Sequence, residues 1–352
     1  MPERWDPDAF RARVDGVLWN FLDEEARLLV AVDDSLAPVA EQLRTSARHG
    51  KRLRAAFCYW GWRAAGRPES DALIRAAASM ELVHAAAVVH DDLIDDSPLR
   101  HGLPTAHVAL EAVLVRSGGD EARAAARSLA MLVGDHLMVL AGRLFTTSGL
   151  PAAYLARARD LWAALARELV AGECLEILHT GGRPDTGTSL KVVRYKTAKY
   201  TVEHPLLMGG LLAGAAPALR DTFRDYGLPL GEAFQLRDDL LGLFGDSRRT
   251  GKSGLDDVRG RRPTALLAET WQAADDSQRQ WLRGLLGRDD LDGGDLRDLR
   301  GLMLELGAPQ RIERMITARV ERAVRALDTA RTPPHARRAL RELARHATDR
   351  TH

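Results

Sequence analysis

The chain has little of what would assign it quickly to a function class. Of its 352 residues only two are cysteines, Cys58 and Cys174, which are too few for a disulfide framework and lack the spacing of a metal site. Aromatic residues make up 5% of the chain, and no convincing alternation of polar and apolar residues indicates strands. The formal net charge is only +1, so the charge balance favours neither nucleic-acid binding nor a basic membrane-binding patch.

Long apolar runs are lacking as well. No run approaches the roughly 18 to 20 apolar residues that span a bilayer, and the N-terminus has neither the basic nor the apolar region of a signal peptide. We therefore expect no membrane span, two thiols in a reducing compartment and a cytoplasmic location. What the chain does contain is 45% apolar and 28% charged residues, which is typical of a globular protein with a sizeable core.

Helical periodicity runs from end to end, so the predicted fold class is all-α, with residues 1–352 forming one domain. Ser70 is a plausible N-cap of a long helix that ends before Ser97 and Pro98, because proline disfavours helical geometry in the residue before it. The other predictions are helices over about 55–65, 121–147, 152–179 and 218–244, a charged loop over 245–264, and three C-terminal helices over about 264–352.

The densest charge lies at 91–96, where four aspartates follow an apolar, alanine-rich run. Each close pair of like charges there costs on the order of 1 kcal/mol. On a helix Asp91 and Asp95 share a face, and His84 lies on the same stripe. Taken alone, this segment is better explained as a solvated helix end. A second cluster, Asp238 and Asp239, favours a magnesium site instead, since Mg²⁺ binds carboxylate oxygens and keeps open positions for phosphates.

Basic residues occur in separate groups, at Lys51, Arg54, Arg100, Lys196 and Arg262. Together with two acidic clusters they describe a site for a polyanion held by divalent ions. The chain has neither a glycine-rich nucleotide loop nor a defensible Ser-His-Asp arrangement. A diphosphate gathered by metals and cations is set up to depart as a leaving group, and the carbocation that remains needs an apolar pocket.

Four ordered motifs carry a family resemblance: Asp-Asp-x-x-Asp at 91–95, Gly-Lys-x-x-Arg at 50–54, Lys-Thr at 196–197 and Phe-Gln-x-x-Asp-Asp at 234–239. Over residues 40–270 the chain resembles trans-isoprenyl diphosphate synthases of the polyprenyl synthetase family, in particular bacterial geranylgeranyl diphosphate synthases. The resemblance implies an isoprenoid synthase fold, a helical bundle around a central cavity. It also implies a homodimeric, Mg²⁺-dependent enzyme that condenses isopentenyl diphosphate with an allylic diphosphate, with three ions per site.

The resemblance also implies a role for each matching residue. The metal ligands would be Asp91, Asp92, Asp95, Asp238 and Asp239. The substrate-binding residues would be Lys51, Arg54, His84 and His101 for isopentenyl diphosphate, and Arg100, Lys196 and Arg262 for the allylic diphosphate. Thr197 and Gln235 would act with Lys196 in catalysis by steadying the allylic cation.

The chain departs from the family pattern at His101, where the family has a second arginine, and at Gly242, where it has a third aspartate. Because an unperturbed histidine is mostly neutral at pH 7, we expect weaker, pH-sensitive binding of isopentenyl diphosphate. Ala86 and Ala87 stand where bulky aromatics close the pocket of family members at fifteen carbons. Their small size favours a product of twenty carbons.

Other interpretations stay open on the sequence alone. A farnesyl or other chain-length prenyl diphosphate synthase would carry the same motifs, and a terpene cyclase would share the fold and the ionisation step. Lys51, Arg54 and His84 argue against a cyclase, because a cyclase holds no second diphosphate. A regulatory partner subunit is disfavoured by the intact aspartates, and a metal phosphohydrolase by the lack of further histidine ligands.

Overall fold

The structure is a computed structural model, and it describes residues 5–114, 119–245, 256–288 and 290–348. The α-helices are α1 Pro7–Val30, α2 Ala37–Ser46, α3 Leu53–Ala64, α4 Asp71–Ile94, α5 Ala106–Leu114, α6 Gly119–Thr146, α7 Ala152–His179, α8 Thr186–Val192, α9 His204–Ala213, α10 Pro217–Phe244, α11 Asp256–Arg259, α12 Ala265–Ala273, α13 Asp276–Leu286, α14 Gly293–Glu305, α15 Ala308–Ala326 and α16 Pro334–Thr348. A short 3₁₀ helix covers Asp34–Leu36, and a π-helix covers Val193–Glu203. The all-α prediction is confirmed.

The long helices begin and end close to where their capping residues predict. The Ser70 side chain accepts a hydrogen bond from the Leu73 backbone N–H at 3.2 Å and caps α4. Two elements were not anticipated. Strands β1 (Leu99–Arg100) and β2 (Leu103–Pro104) form a two-residue antiparallel hairpin. The segment around Lys196 is a π-helix, a rare geometry that apolar periodicity does not distinguish from an α-helix.

The prediction of three C-terminal helices was wrong, since the described part of that region contains five, α12 to α16. Asp275 and Asp292 each form a capping box that starts a new helix. Gly307, at φ 68°, separates α14 from α15. The loop predicted over 245–264 includes the short helix α11, and its residues 246–255 lie outside the described part of the chain.

The chain divides into two compact units, which are described separately, and the single-domain assignment stays a prediction. The first unit comprises residues 1–157 and 209–214. Within it α4 packs against α3 and α6, and most of its alanines are buried in the core. Small residues allow this close approach: a Cβ added at Gly134 of α6 would lie 2.3 Å from the His90 ring.

The second unit comprises residues 158–208 and 215–352. Its central helix α10 packs against the π-helix and α15. The buried carboxylate of Glu232 on α10 accepts hydrogen bonds from Arg194 of the π-helix at 3.0 Å and from Arg319 of α15 at 2.9 Å. Charge pairing within this triad offsets the desolvation of the carboxylate and ties three helices together.

Two helices, α4 and α6, are long and apolar enough to cross a membrane by length and composition alone. In α4, 72% of the apolar window is buried inside the protein, which is the position of a core helix. The apolar side chains of α6 that face outward include Leu132 and Val139.

Gly209 in α9 is required by a backbone contact in the first unit. A Cβ at this position would lie 1.8 Å from the carbonyl oxygen of Cys58 in α3, which is closer than any non-bonded contact allows. The absence of a side chain at Gly209 therefore allows α9 to approach α3.

We expect Gly209→Ala to lower the free energy of unfolding by about 1–3 kcal/mol or more, because α9 would have to move away from α3. The matched control is Gly301→Ala, at an exposed position of α14 where an added Cβ meets nothing within 4 Å. That change should leave stability unchanged or raise it by about 1 kcal/mol at most. Denaturant unfolding measures both, and equal effects would contradict the packing argument.

Candidate active site

In the first unit the acidic end of α4 is neutralised by an arginine from the hairpin. Arg100 on β1 donates from Nε to both carboxylate oxygens of Asp92, at 3.0 and 3.2 Å, and from Nη2 to Oδ2 of Asp91 at 3.1 Å. Asp92 is buried, whereas Asp91 keeps part of its surface. Burial is the largest single influence on the pKa of Arg100 and lowers it, but the hydrogen bonds and charges of Asp92 and Asp91 together outweigh burial and raise the pKa. The like-charge repulsion of the cluster is thereby reduced.

The hairpin is anchored through Asp96, whose role the sequence did not reveal. Asp96 has a left-handed backbone at φ 52°, and its carboxylate accepts from Arg123 at 2.9 Å and Arg127 at 2.6 Å, both on α6. The residues that flank the hairpin are also joined, because the Thr105 hydroxyl donates to the Ser97 carbonyl at 2.7 Å. The neighbour of Arg100 in the turn is His101 (φ 53°), which is exposed.

His84 lies among positive groups. Burial is the largest cause lowering its pKa well below 6.5, followed by the charges of Arg54 and Arg100. The charges of Arg52 and His101 act in the same direction, so the imidazole is neutral at pH 7. The structure therefore brings together three of the residues predicted to bind isopentenyl diphosphate, and places Arg100 beside them.

The basic turn before α3 separates into residues with different surroundings. Arg52 begins α3 at φ 53° with its side chain buried, and it donates to Asp15 at 2.6 Å and to the Ala47 carbonyl at 2.7 Å. Its neighbour Lys51 is exposed, and Arg54 is buried. Arg52 thus holds the turn in place through its contacts with Asp15 and the Ala47 carbonyl.

The two alanines predicted to govern chain length differ in their surroundings. Ala86 is fully buried, whereas Ala87 is partly exposed and lies one helical turn before Asp91 on the same face of α4. Further along this face Met80 is buried. A larger side chain at 87 would therefore project beside the acidic cluster, whereas one at 86 would disrupt the core.

In the second unit the Lys-Thr motif lies on the π-helix. The Lys196 ammonium, largely buried, donates to Glu173 Oε1 at 3.2 Å and forms a second ion pair with Glu176, both on α7. Neither glutamate was identified from the sequence, although their spacing of three residues places both on one face of a predicted helix. Thr197 follows with its side chain half-buried.

The second aspartate cluster occupies α10. Gln235 donates from Nε2 to Oδ1 of Asp239 at 2.8 Å, and Asp238 is half-buried beside it. Asp239 and Arg262 line the same small cavity of the second unit. Arg262, which was predicted to bind the allylic diphosphate, therefore lies near this cluster. Arg237 lies between Gln235 and Asp238 in the sequence. Its side chain donates hydrogen bonds to the Glu313 carboxylate and to the Thr348 carbonyl instead.

The donor set suits magnesium, because hard carboxylate oxygens occur in pairs on α4 and on α10 and keep part of their surface. Asp91 and Asp95 are one turn apart on the first helix, and Asp238 and Asp239 are adjacent on the second. Asp92, which was predicted as a further ligand, has both oxygens engaged by Arg100.

Comparison with known proteins identifies the family of the chain. A sequence model described as polyprenyl synthetase matches residues 37–303. The chain belongs to the polyprenyl synthetase family. It is 30% identical to the octaprenyl diphosphate synthase of Escherichia coli over 66% of each chain, and 30% identical to the geranylfarnesyl diphosphate synthase of Aeropyrum pernix over 78% of this chain and 81% of that one.

Solved structures extend the similarity to nearly the whole chain. A geranylgeranyl pyrophosphate synthase from Corynebacterium glutamicum, complexed with isoprenyl diphosphate and magnesium, is 33% identical and aligns with a TM-score of 0.93 over 98% of this chain and 100% of that one. The family resemblance seen in the sequence is thus confirmed, and the polyprenyl synthetase described here is a prenyltransferase. Its relatives make products of different lengths, so membership does not assign one.

Next to the Lys-Thr motif this polyprenyl synthetase buries a histidine. His204 lies within 3.2 Å of Glu168, and burial lowers its pKa to about 4 despite the opposing effect of that carboxylate. The native state therefore holds His204 neutral at a pH where an unfolded chain, with a pKa near 6.5, takes up a proton.

Because the unfolded state binds this proton and the native state does not, stability falls as pH drops below 6.5, by up to about 1.4 kcal/mol per pH unit from one such group. We expect His204→Gln to make the fall between pH 7 and pH 5 shallower. Denaturant unfolding at several pH values measures this slope. The exposed control His346→Gln should leave the slope as it is, and an unaltered slope in H204Q would contradict the assignment.

Proposed function

We propose that this polyprenyl synthetase condenses isopentenyl diphosphate with an allylic diphosphate to give geranylgeranyl diphosphate, a trans product of twenty carbons. The observation that supports this best is the neutral His84 among Arg54, Arg100 and His101. A synthase must bind a second diphosphate besides the one it ionises, and this group of cations provides for it in addition to the carboxylates.

The residues of the first unit would bind isopentenyl diphosphate and one side of the allylic diphosphate. Lys51, Arg54 and His84 hold the first, since arginine and lysine donate several charge-assisted hydrogen bonds to phosphate oxygens. His101 would add a donor whose strength depends on pH. Asp91 and Asp95, one helical turn apart, would hold magnesium.

Asp92 would position Arg100. Both oxygens of its buried carboxylate accept from the guanidinium, which keeps Arg100 directed at the acidic end of α4. Asp91 would hold magnesium, and Arg100, kept in place by Asp92, would donate to the allylic diphosphate.

The residues of the second unit would act on the allylic group. Lys196 and Arg262 bind the departing diphosphate, and Asp238 and Asp239 hold further magnesium, for a total of three ions. When bound, these ions neutralise the charge that builds on the leaving diphosphate. The hydroxyl of Thr197 and the amide oxygen of Gln235 present negative dipoles that steady the allylic cation.

The bonds made and broken balance without any further reagent. The allylic C–O bond breaks and leaves the cation with the diphosphate as leaving group. The double bond of isopentenyl diphosphate supplies the electron pair of the new C–C bond, and one proton passes from the adjacent carbon to the departing diphosphate. The product is an allylic diphosphate five carbons longer.

A homodimer in the cytoplasm, without a membrane span, is part of this proposal. Apolar side chains on α6 are exposed, among them Met131, Leu132 and Val139, and α7 exposes Val170 and Leu178. Exposed apolar residues on a helix are typical of interaction surfaces, and family resemblance makes a second copy of the chain the occupant.

The central test is the product formed from isopentenyl diphosphate, Mg²⁺ and each allylic diphosphate in turn. We expect elongated diphosphates ending at twenty carbons. Asp91→Asn should lower kcat/KM by roughly 100-fold or more, because a charge that acts in the transition state is lost. Asp276→Asn, at a fully exposed position of α13, is the matched control. A cyclic hydrocarbon, free phosphate or no reaction would instead indicate a cyclase, a phosphohydrolase or a regulatory subunit.

Chain length gives a second test. Ala87→Phe should shorten the product to about fifteen carbons while turnover continues, because the ring would fill space beside Asp91 on the face of α4 that leads to Met80. Mass spectrometry of the dephosphorylated products measures the distribution. Ala318→Phe, at an exposed alanine of α15, controls for a general effect of the ring. An unchanged product length in A87F would contradict the role of Ala87 in limiting chain length.

A further inference from the structure

The π-helix that carries Lys196 and Thr197 meets α7 backbone to backbone. A Cβ at Gly172 would lie 2.2 Å from the Lys196 backbone nitrogen and 2.5 Å from the Tyr195 carbonyl carbon. From α10, Gly231 approaches the same turn, since a Cβ there would lie 2.4 Å from the Ala198 carbonyl oxygen. These glycine contacts fix the distance between the helices. They are not directional, so they do not by themselves fix the register of the π-helix along α7.

Two lysine–glutamate groups stand on either side of the Gly172 contact. On one side Lys196 pairs with Glu173 and Glu176, and on the other Lys199 donates to Glu168 at 2.8 Å. The order along the two helices is reversed, so that the later lysine pairs with the earlier glutamate. Such pairing is satisfied in one register only.

Lys199 has more contacts and less exposure than a lysine in a surface ion pair. Its ammonium lies 5.4 Å from the centre of the Tyr195 ring, and its partner Glu168 is also contacted by the buried His204 at 3.2 Å. The side chains of Lys199 and Glu168 are 18% and 24% exposed, so solvent screens the pair less than it does a surface pair. No role in substrate binding is assigned to Lys199, Glu168 or His204.

We propose that Lys199 is a positioning residue, whose ion pair with Glu168 sets the register of the π-helix on α7 and thereby the place of Lys196 and Thr197. A π-helix is less regular than an α-helix and benefits from such outside support. Slippage of the π-helix would carry Lys196 away from Glu173 and Glu176, and its ammonium away from the diphosphate. This inference rests on the role proposed above for Lys196.

A double-mutant cycle tests the proposal. Lys199→Gln should lower kcat/KM for the allylic diphosphate by about 10-fold in the wild type, and by less than about 2-fold in a Lys196→Gln background, because a residue that acts through Lys196 has nothing to position once Lys196 is removed. The KM for isopentenyl diphosphate should stay unchanged, and Lys199→Arg should restore most of the activity. Lys191→Gln, at an exposed lysine of α8, is the matched control and should retain full activity.

A loss of equal size in both backgrounds would overturn the proposal, because it would mean that Lys199 supports stability in general. No loss in either background would also overturn it. If K199Q does not fold, Glu168→Gln removes the charge of the partner and should show the same dependence on Lys196. Failure of the proposed function looks different: K196Q alone would then be fully active, whatever happens at Lys199.

Discussion

The site in the first unit depends on the ion pair between Arg100 and Asp92. Without it, four aspartates at one helix end would repel each other and a buried carboxylate would be left without a counter-charge, which is among the most costly defects a protein interior can carry. The arginine comes from a hairpin of two residues per strand, too short to hold its own shape. Asp96 supplies the missing support by binding two arginines of α6. The acidic cluster at 91–96 thus contains both the proposed metal ligands and Asp96, the anchor of the loop beside them.

In the second unit, glycines allow the helices around Lys196 to pack closely. The role proposed for Lys196 requires a charged ammonium that is held in place, and a flexible side chain alone cannot achieve this. Gly172 and Gly231 allow two helices to approach the π-helix so closely that its backbone is clamped, and the glutamates of α7 surround the lysine heads. Position is set by backbone packing, and register by charge. The packing of the backbone depends on the glycines and the register on the ion pairs, so mutations can alter one without the other.

The proposed role of Ala87 in product length depends on how differently two adjacent alanines are placed. Ala87 is partly exposed on the face of α4 that carries Asp91, whereas Ala86 is enclosed in the core. Relatives named as octaprenyl, geranylfarnesyl and geranylgeranyl diphosphate synthases differ in product length. Under the proposal, such differences would arise from the side chains that line the site rather than from its charges.

The sequence by itself determined the all-α class, the boundaries of the long helices and the family, because helical periodicity, caps and motif spacing are local properties of the chain. It also predicted three site residues, Asp91 and Lys196 from short motifs and His84 from the helix face that it shares with Asp91, and these stay predictions. Only the tertiary structure decided that Arg52 is a buried anchor while Lys51 is exposed, that Asp92 pairs with Arg100, and that Lys196 has Glu173 and Glu176 as partners. Each of these depends on contacts between residues distant in the chain or on burial, which spacing does not encode. The π-helix was hidden for the same reason: its glycine contacts come from α7 and α10, and no pattern within residues 193–203 announces them.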